Sequence, residues 1–146
     1  MSRRLQRERA LQVLYAIETG KSDIHSTVEL FYRLLRGEYD EYDFNVEDET
    51  VFTIQLVEGI IGKWIYLNDI ITNYSTNWSI ERISIIDRNI LRIALYELVF
   101  IHDIPYSVTA NEAVELAKKF SSKKSSKFIN GILGHIIKDI SEGKIT

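Results

Sequence analysis

Two stretches of the sequence carry side chains suited to holding a nucleic acid. Residues 3 to 9 present Arg3, Arg4, Arg7 and Arg9 against the single acid Glu8, and residues 118 to 127 present Lys118, Lys119, Lys123, Lys124 and Lys127 with no acid. Each run has an aromatic ring beside it. At 100° per residue, Tyr15 falls on the same side of an N-terminal helix as Arg4, Arg7, Glu8 and Leu11. Lys124 and Lys127 share a flank with Phe128, Gly131 and His135. Cations next to flat rings neutralise phosphates and stack unpaired bases. A solvated charged face is the plain alternative for either run. The arginines of the first helical turn, and likewise Lys124 and Lys127 at the start of the last helix, however, oppose the macrodipole at a cost of ~0.3 kcal/mol each. Lysines at a helix N-terminus also make an anion site. The wheel position of Phe128, between the buried face and the Gly131 edge, leaves core packing and base contact equally open.

No comparable constellation exists for catalysis. His25, His102 and His135 stand alone, without a second ligand at metal-binding spacing. There is no phosphate-cradling glycine loop and no serine nucleophile elbow. Glu97 lies on the apolar side of a central helix. A satisfied core carboxylate is a plainer reading of it than a general acid, because no second catalytic group accompanies it. The absence of cysteine removes disulfides, thiolate metal sites and cysteine nucleophiles, and suits a reducing compartment. The expectation is a binding protein that is not an enzyme and has no cofactor and no metal.

With 146 residues, 45% of them hydrophobic, the chain is long enough for one domain with a core of its own. No apolar run reaches the length of a membrane span, and the arginine-rich N-terminus lacks the apolar segment of a signal peptide. A soluble, cytoplasmic protein without a membrane segment is expected. The net charge of −3 rules out adhesion to nucleic acid through bulk charge, so any such contact must be local. Seven acids, Glu38, Asp40, Glu41, Asp43, Glu47, Asp48 and Glu49, occupy one stretch without Lys or Arg.

These residues need helices to position them. Ser2 caps a first helix to about Glu18, with Ala10, Val13, Leu14 and Ile17 buried and Gly20 as a left-handed stop. A second helix spans roughly Ile24 to Arg36, with Ile24, Val28, Phe31 and Leu35 at core spacing. A long periodic segment runs from about Glu47 to Asn73, with Val57, Ile61, Trp64, Leu67 and Ile71 on one stripe and Gly59 and Gly62 as kink points. Residues 74 to 83 form a connection with one short helical turn.

The stretch from Ser84 to Ile101 is apolar around most of its circumference, as suits the centre of a bundle. Ser84 and Asp87 have the spacing of a capping box, and Arg88, Asn89, Arg92 and Tyr96 form its polar row. Asp103-Ile104-Pro105 ends that helix. Thr109 and Glu112 suggest a second capping box, ahead of a face made by Ala110, Ala113, Val114, Ala117 and Phe120. A last helix begins near Ser125 or Ser126 and runs to about Ile140, burying Ile129, Ile132, Leu133, Ile136 and Ile140, with Gly143 at a frayed end. No strand signal is present. The class is all-α, a helical bundle of about seven helices, with a break after Phe44 dividing an N-terminal half (1–44) from a C-terminal half (45–146).

Four segments, RRLQRERALQVLY at 3 to 15, ILRIALYEL at 90 to 98, NEAVELAKKF at 111 to 120 and KFINGIL at 127 to 133, together resemble the NusB family of bacterial transcription antitermination factors. The resemblance covers nearly the whole chain in the family's order. It implies an all-helical bundle of two subdomains that binds the boxA element of nascent rRNA leader transcripts. It implies single-stranded RNA as ligand and NusE, a small-subunit ribosomal protein, as partner, within an RNA polymerase antitermination complex. A homodimer that hides the RNA face is a further implied partner.

Carried over by residue, the resemblance assigns RNA binding to Arg3, Arg4, Arg7 and Tyr15 of the first helix, to Asp87 at the start of the central helix, and to Lys127 and Phe128. Lys124, where some relatives are acidic, joins them through the lysine cluster. Leu5 and Gln6 replace basic or small residues of the family run, and Ala110 replaces a larger aliphatic. Two other readings compete. The fold also serves as the RNA-binding module of rRNA cytosine methyltransferases, which require a cofactor domain and catalytic cysteines, and this sequence contains no cysteine. A helical protein-binding adaptor without RNA specificity is the remaining alternative.

Overall fold

A computed structural model describes residues 2–20, 23, 26, 29, 46–75 and 79–145, with the backbone alone described at 46–50. The expected helix over Ile24–Arg36 and most of the acidic stretch lie outside the described residues. The described residues form six α-helices and one 3₁₀ turn, with no strand among them. In chain order these are α1 (Arg3–Thr19), α2 (Val46–Gly62), α3 (Trp64–Tyr74), the 3₁₀ turn (Ile80–Arg82), α4 (Ile85–Phe100), α5 (Tyr106–Phe120) and α6 (Lys123–Ser141). They group into two compact units, Met1–Glu58 and Gly59–Thr146, with α2 running through the boundary.

In the first unit, the Ser2 hydroxyl accepts the Leu5 N–H at 3.1 Å and starts α1 as expected. Gly20 ends it, but in extended conformation at φ −70° instead of the left-handed one, its N–H donating to Ala16 O at 2.7 Å. Ala10, Val13, Leu14 and Ile17 are buried, as periodicity requires. So are Arg7 and Leu11, which share a side with Arg4 and Tyr15, and Gln6, which the helical period places among the buried residues. Gln6 pins α2 to α1 there. Its Oε1 accepts the N–H groups of Phe52 and Thr53 at 3.0 and 3.2 Å, and its carbonyl accepts the Thr53 hydroxyl at 3.0 Å.

The long periodic segment breaks once, at Lys63 between α2 and α3, next to Gly62. Gly59 has a different task, since a Cβ there would run into the Tyr96 ring of α4. Glycine admits that approach, and any larger residue would have to displace the ring.

In the second unit α4 is central, packing against α3, α5 and α6. Ile90, Leu91, Ile93, Ala94, Leu95 and Leu98 are buried on it, together with Leu67 and Ile71 of α3, Leu116 of α5, and Ile129, Leu133 and Ile136 of α6. The polar row of α4 is not a solvated edge. Asn89 and Arg92 are 0% and 2% exposed. The Arg92 guanidinium lies over the Trp64 ring at 3.8 Å, and donates from Nε to Asn68 Oδ1 at 2.8 Å and from Nη1 to Asn89 Oδ1 at 2.7 Å. Helix α3 supplies the partners that let a buried cation keep its charge. Glu97, also buried, accepts the Thr109 hydroxyl at 3.1 Å, the satisfied core carboxylate expected of it.

That bond redirects Thr109. Helix α5 begins at Tyr106 with Pro105 in the capping position, so Thr109 lies a turn inside it and caps nothing. Helix α6 likewise starts earlier than expected, at Lys123, because the Ser122 hydroxyl accepts the Ser125 N–H at 3.0 Å. Its far end is closed. Gly143 adopts φ 74°, with Lys144 N–H donating to Asp139 O and Gly143 N–H to Ile140 O at 2.9 and 3.0 Å.

Candidate nucleic-acid interface

The expected binding residues fall into two groups, one in each unit. On α1, Arg3 and Arg4 are exposed, and Tyr15 presents 43% of its surface to solvent. Arg7 is 4% exposed, which corrects its placement on an open basic row. The cause is Phe52 of α2, whose ring centroid lies 4.8 Å from the Arg3 guanidinium carbon and 5.2 Å from that of Arg7. One arginine is therefore solvent-exposed beside a second that is packed.

The second group gathers where the first turns of α4 and α6 meet. Arg82, Ile83, Ser84, Asp87, Lys124, Ser125 and Phe128 line a groove of about 310 Å³. Phe128 is half-buried and forms part of its lining, while Lys124 and Lys127 are exposed, Lys127 outside the lining. Arg88 braces the groove from behind, donating to the carbonyl of Ile83 at 3.3 Å.

Asp87 lies in this groove with 7% of its surface exposed. The expected capping box forms only in half: Asp87 N–H donates to Ser84 Oγ at 3.1 Å, but the carboxylate does not reach back. Asp87 Oδ2 instead accepts the Ser125 hydroxyl at 2.7 Å. Ser125 Oγ in turn accepts from Ser121 and Ser122 at 2.9 and 3.1 Å, a relay of hydroxyls that orients its proton toward the acid. Asp87 Oδ1 is buried with no hydrogen-bond partner among the described residues. A buried carboxylate oxygen without a donor is costly, which sets Asp87 apart from the other polar groups that line the groove.

Three contributors were not visible as site residues in the sequence. Gln6 and Phe52 set the α1 group, and Ser125 sets Asp87. The serine-rich run SSKKSS hinted at the last, but nothing in it names a partner 38 residues away.

No group of three or more metal-ligating side chains occurs among the described residues. The perturbed acids lie elsewhere, between α3 and α6. Tyr74 Oη donates to Asp139 Oδ2 at 2.5 Å, a bond that, together with some burial, pushes the phenol up to about 12, and that holds the Asp139 carboxyl below its ordinary range against the opposing effect of desolvation. No helix among the described residues is long and apolar enough to cross a membrane.

Comparison with known proteins agrees with this architecture. Residues 4–138 match the model of the NusB family. The transcription antitermination protein NusB of Thermodesulfovibrio yellowstonii is 42% identical over 95% of this chain and 93% of its own. Among solved structures, Thermotoga maritima NusB superposes with a TM-score of 0.78 at 35% identity, over 95% of this chain and 92% of its own. A complex of the antitermination factors NusB and NusE with double-stranded RNA matches at a TM-score of 0.74 and 26% identity, over 94% of this chain and 98% of that one. With its all-helical fold and a family match that runs from α1 into α6, the chain belongs to the NusB family, and is a transcription antitermination factor and not an enzyme.

Proposed function

We propose that the protein binds the boxA element of nascent rRNA leader transcripts as single-stranded RNA, jointly with NusE, within the RNA polymerase antitermination complex of the cytoplasm. The observation that carries this reading is the groove between the first turns of α4 and α6, where Lys124 and Phe128 flank a buried carboxylate oxygen that lacks a donor. Arg3 and Arg4, with Lys124 and Lys127, neutralise phosphates. Tyr15 and Phe128 contact base faces, and Asp87 Oδ1 accepts an N–H from a base edge. Base faces are open to stacking only when the strand is unpaired, which favours single-stranded over duplex RNA as the ligand. NusE docks on another face of the C-terminal half, and the two ligands reinforce each other through effective concentration. Without RNA, self-association through the same face gives a homodimer.

Fluorescence-anisotropy titrations with boxA RNA, a scrambled strand and a boxA duplex, each at several salt concentrations, test the reading. The boxA strand is expected to bind at least about tenfold more tightly than the scrambled one, a gap of ~1.4 kcal/mol. Equal affinities for all three would favour the adaptor without RNA specificity.

A further inference from the structure

We infer that Phe52 is a positioning residue for RNA binding, one that touches no ligand and acts by holding the arginines of α1. The inference rests on the reading that the α1 arginines meet RNA phosphates. The ring of Phe52 is 6% exposed, so it is not itself a stacking platform for a base. It nevertheless lies under two guanidinium groups, 4.8 Å from Arg3 and 5.2 Å from Arg7. Those arginines are one helical turn apart on α1 and differ in exposure. Arg7 is packed away at 4% exposed, and Arg3 faces solvent.

The register that brings the ring there is locked. Gln6, between the two arginines in sequence, accepts the backbone N–H of Phe52 itself and that of Thr53 through one side-chain oxygen. Gln6 and Thr53 are 6% and 0% exposed, so these bonds lie away from competing water. An arginine held by nothing samples many rotamers and loses them when it grips a phosphate. A planar guanidinium already stacked on a ring has lost part of that freedom before the ligand arrives. Arg3 is thus the phosphate ligand, Phe52 its rest, and Arg7 the packed neighbour that fills the other part of the ring's surroundings. This division of labour also explains a buried arginine in a basic run whose expected use is contact with RNA.

The test measures binding of a single-stranded boxA oligonucleotide to the full chain by anisotropy across a salt series, with thermal melts of every variant. Phe52→Leu is expected to weaken binding about three- to tenfold, the range for the lost pre-ordering of one long side chain. Phe52→Tyr, which keeps the ring, is expected to bind as the parent does. In an Arg3→Ala background the Phe52→Leu loss is expected to vanish, because the residue it serves is gone.

Arg3→Lys gives a reading that does not depend on the fold tolerating a change at Phe52. Lysine keeps the charge and the phosphate count but not the stacked plane, so affinity is expected to fall by a similar factor at an unchanged salt slope. Arg3→Lys binding as the parent does would overturn the inference. So would a Phe52→Leu loss that persists undiminished beside Arg3→Ala. If Arg3→Ala and Arg4→Ala both leave affinity and salt slope untouched, it is the RNA reading of α1 that fails, and the inference with it.

Discussion

The Ser125 hydroxyl donates to Asp87 Oδ2 at 2.7 Å, tying the first turn of α6 to the first turn of α4 across 38 residues of sequence. This bond decides how Asp87 is used. One carboxylate oxygen is spent on the fold, and the other is left buried without a partner among the described residues. The Ser84 cap takes neither oxygen, since it uses the Asp87 N–H alone.

Asp87→Ala is expected to cost ~1.5–3 kcal/mol of boxA binding, the range for one hydrogen bond to a charged group. Thermal stability is expected to change little, because the substitution removes a buried oxygen that has no donor along with the bond to Ser125. An affinity equal to that of the parent would remove Asp87 from the interface.

Ser125→Ala is expected to act on stability. It strands the whole Asp87 carboxylate without a donor, at ~1–3 kcal/mol. Urea unfolding of the single variants and of the Asp87→Ala, Ser125→Ala pair forms a double-mutant cycle, in which the Ser125 loss should disappear once Asp87 is gone. Additive losses would mean that the serine acts through its cap relay with Ser121 and Ser122.

Tyr15→Ala and Lys124→Asp separate stacking from charge. Tyr15 is 43% exposed, so its removal should leave the melting temperature unchanged while costing ~1–3 kcal/mol of binding. Lys124→Asp should weaken binding to every RNA alike and lower the salt slope by ~0.7 for each phosphate that is no longer neutralised. A collapse in stability for Tyr15→Ala, or an unaltered slope for Lys124→Asp, would count against these assignments.

Arg4→Ala and Arg7→Ala should diverge despite lying in one basic run. Arg4 is exposed, and its loss is expected to reduce affinity and salt slope with no change in melting. Arg7 is 4% exposed over Phe52, and its truncation should cost ~1–3 kcal/mol of stability, seen as a lower denaturant midpoint. Matching behaviour of the two variants would contradict the packing of α2 on α1.

Tyr74→Phe reports on the bond to Asp139. Because the folded-state value of Asp139 is lowered, its contribution is present above the ordinary carboxyl range and is lost as pH falls through the folded value. Tyr74, raised to about 12, contributes below its ordinary value near 10 and loses that contribution as pH rises through the folded one. Melting curves of parent and Tyr74→Phe should therefore differ at neutral pH and converge toward acid and toward strong alkali. A constant gap across that range would show that the ring's packing, not its hydroxyl, is what matters.

Much of the fold was legible because helices are local objects. The period of Ala10, Val13, Leu14 and Ile17, or of Ile129, Ile132, Leu133 and Ile136, reports a buried face whatever covers it, and those residues are buried. The basic ends of α1 and α6 were equally visible, since they consist of residue types close in sequence. Helix starts were less so. Thr109 and Ser125 have the chemistry of caps, yet the hydroxyl of the first satisfies Glu97 and that of the second satisfies Asp87.

By itself, the sequence determined the all-helical class, the apolar sides, the absence of cysteine chemistry and the family. Tertiary structure alone decided which polar side chains lie beneath a neighbour: Arg7 under α2, Arg92 under Trp64 and Asn68 of α3, Asp87 against Ser125. The physical reason is that a helical wheel fixes the direction in which a side chain leaves its own helix. The burial, the charge cost and the free hydrogen-bonding capacity of that side chain are set by another helix, whose contribution arrives from dozens of residues away.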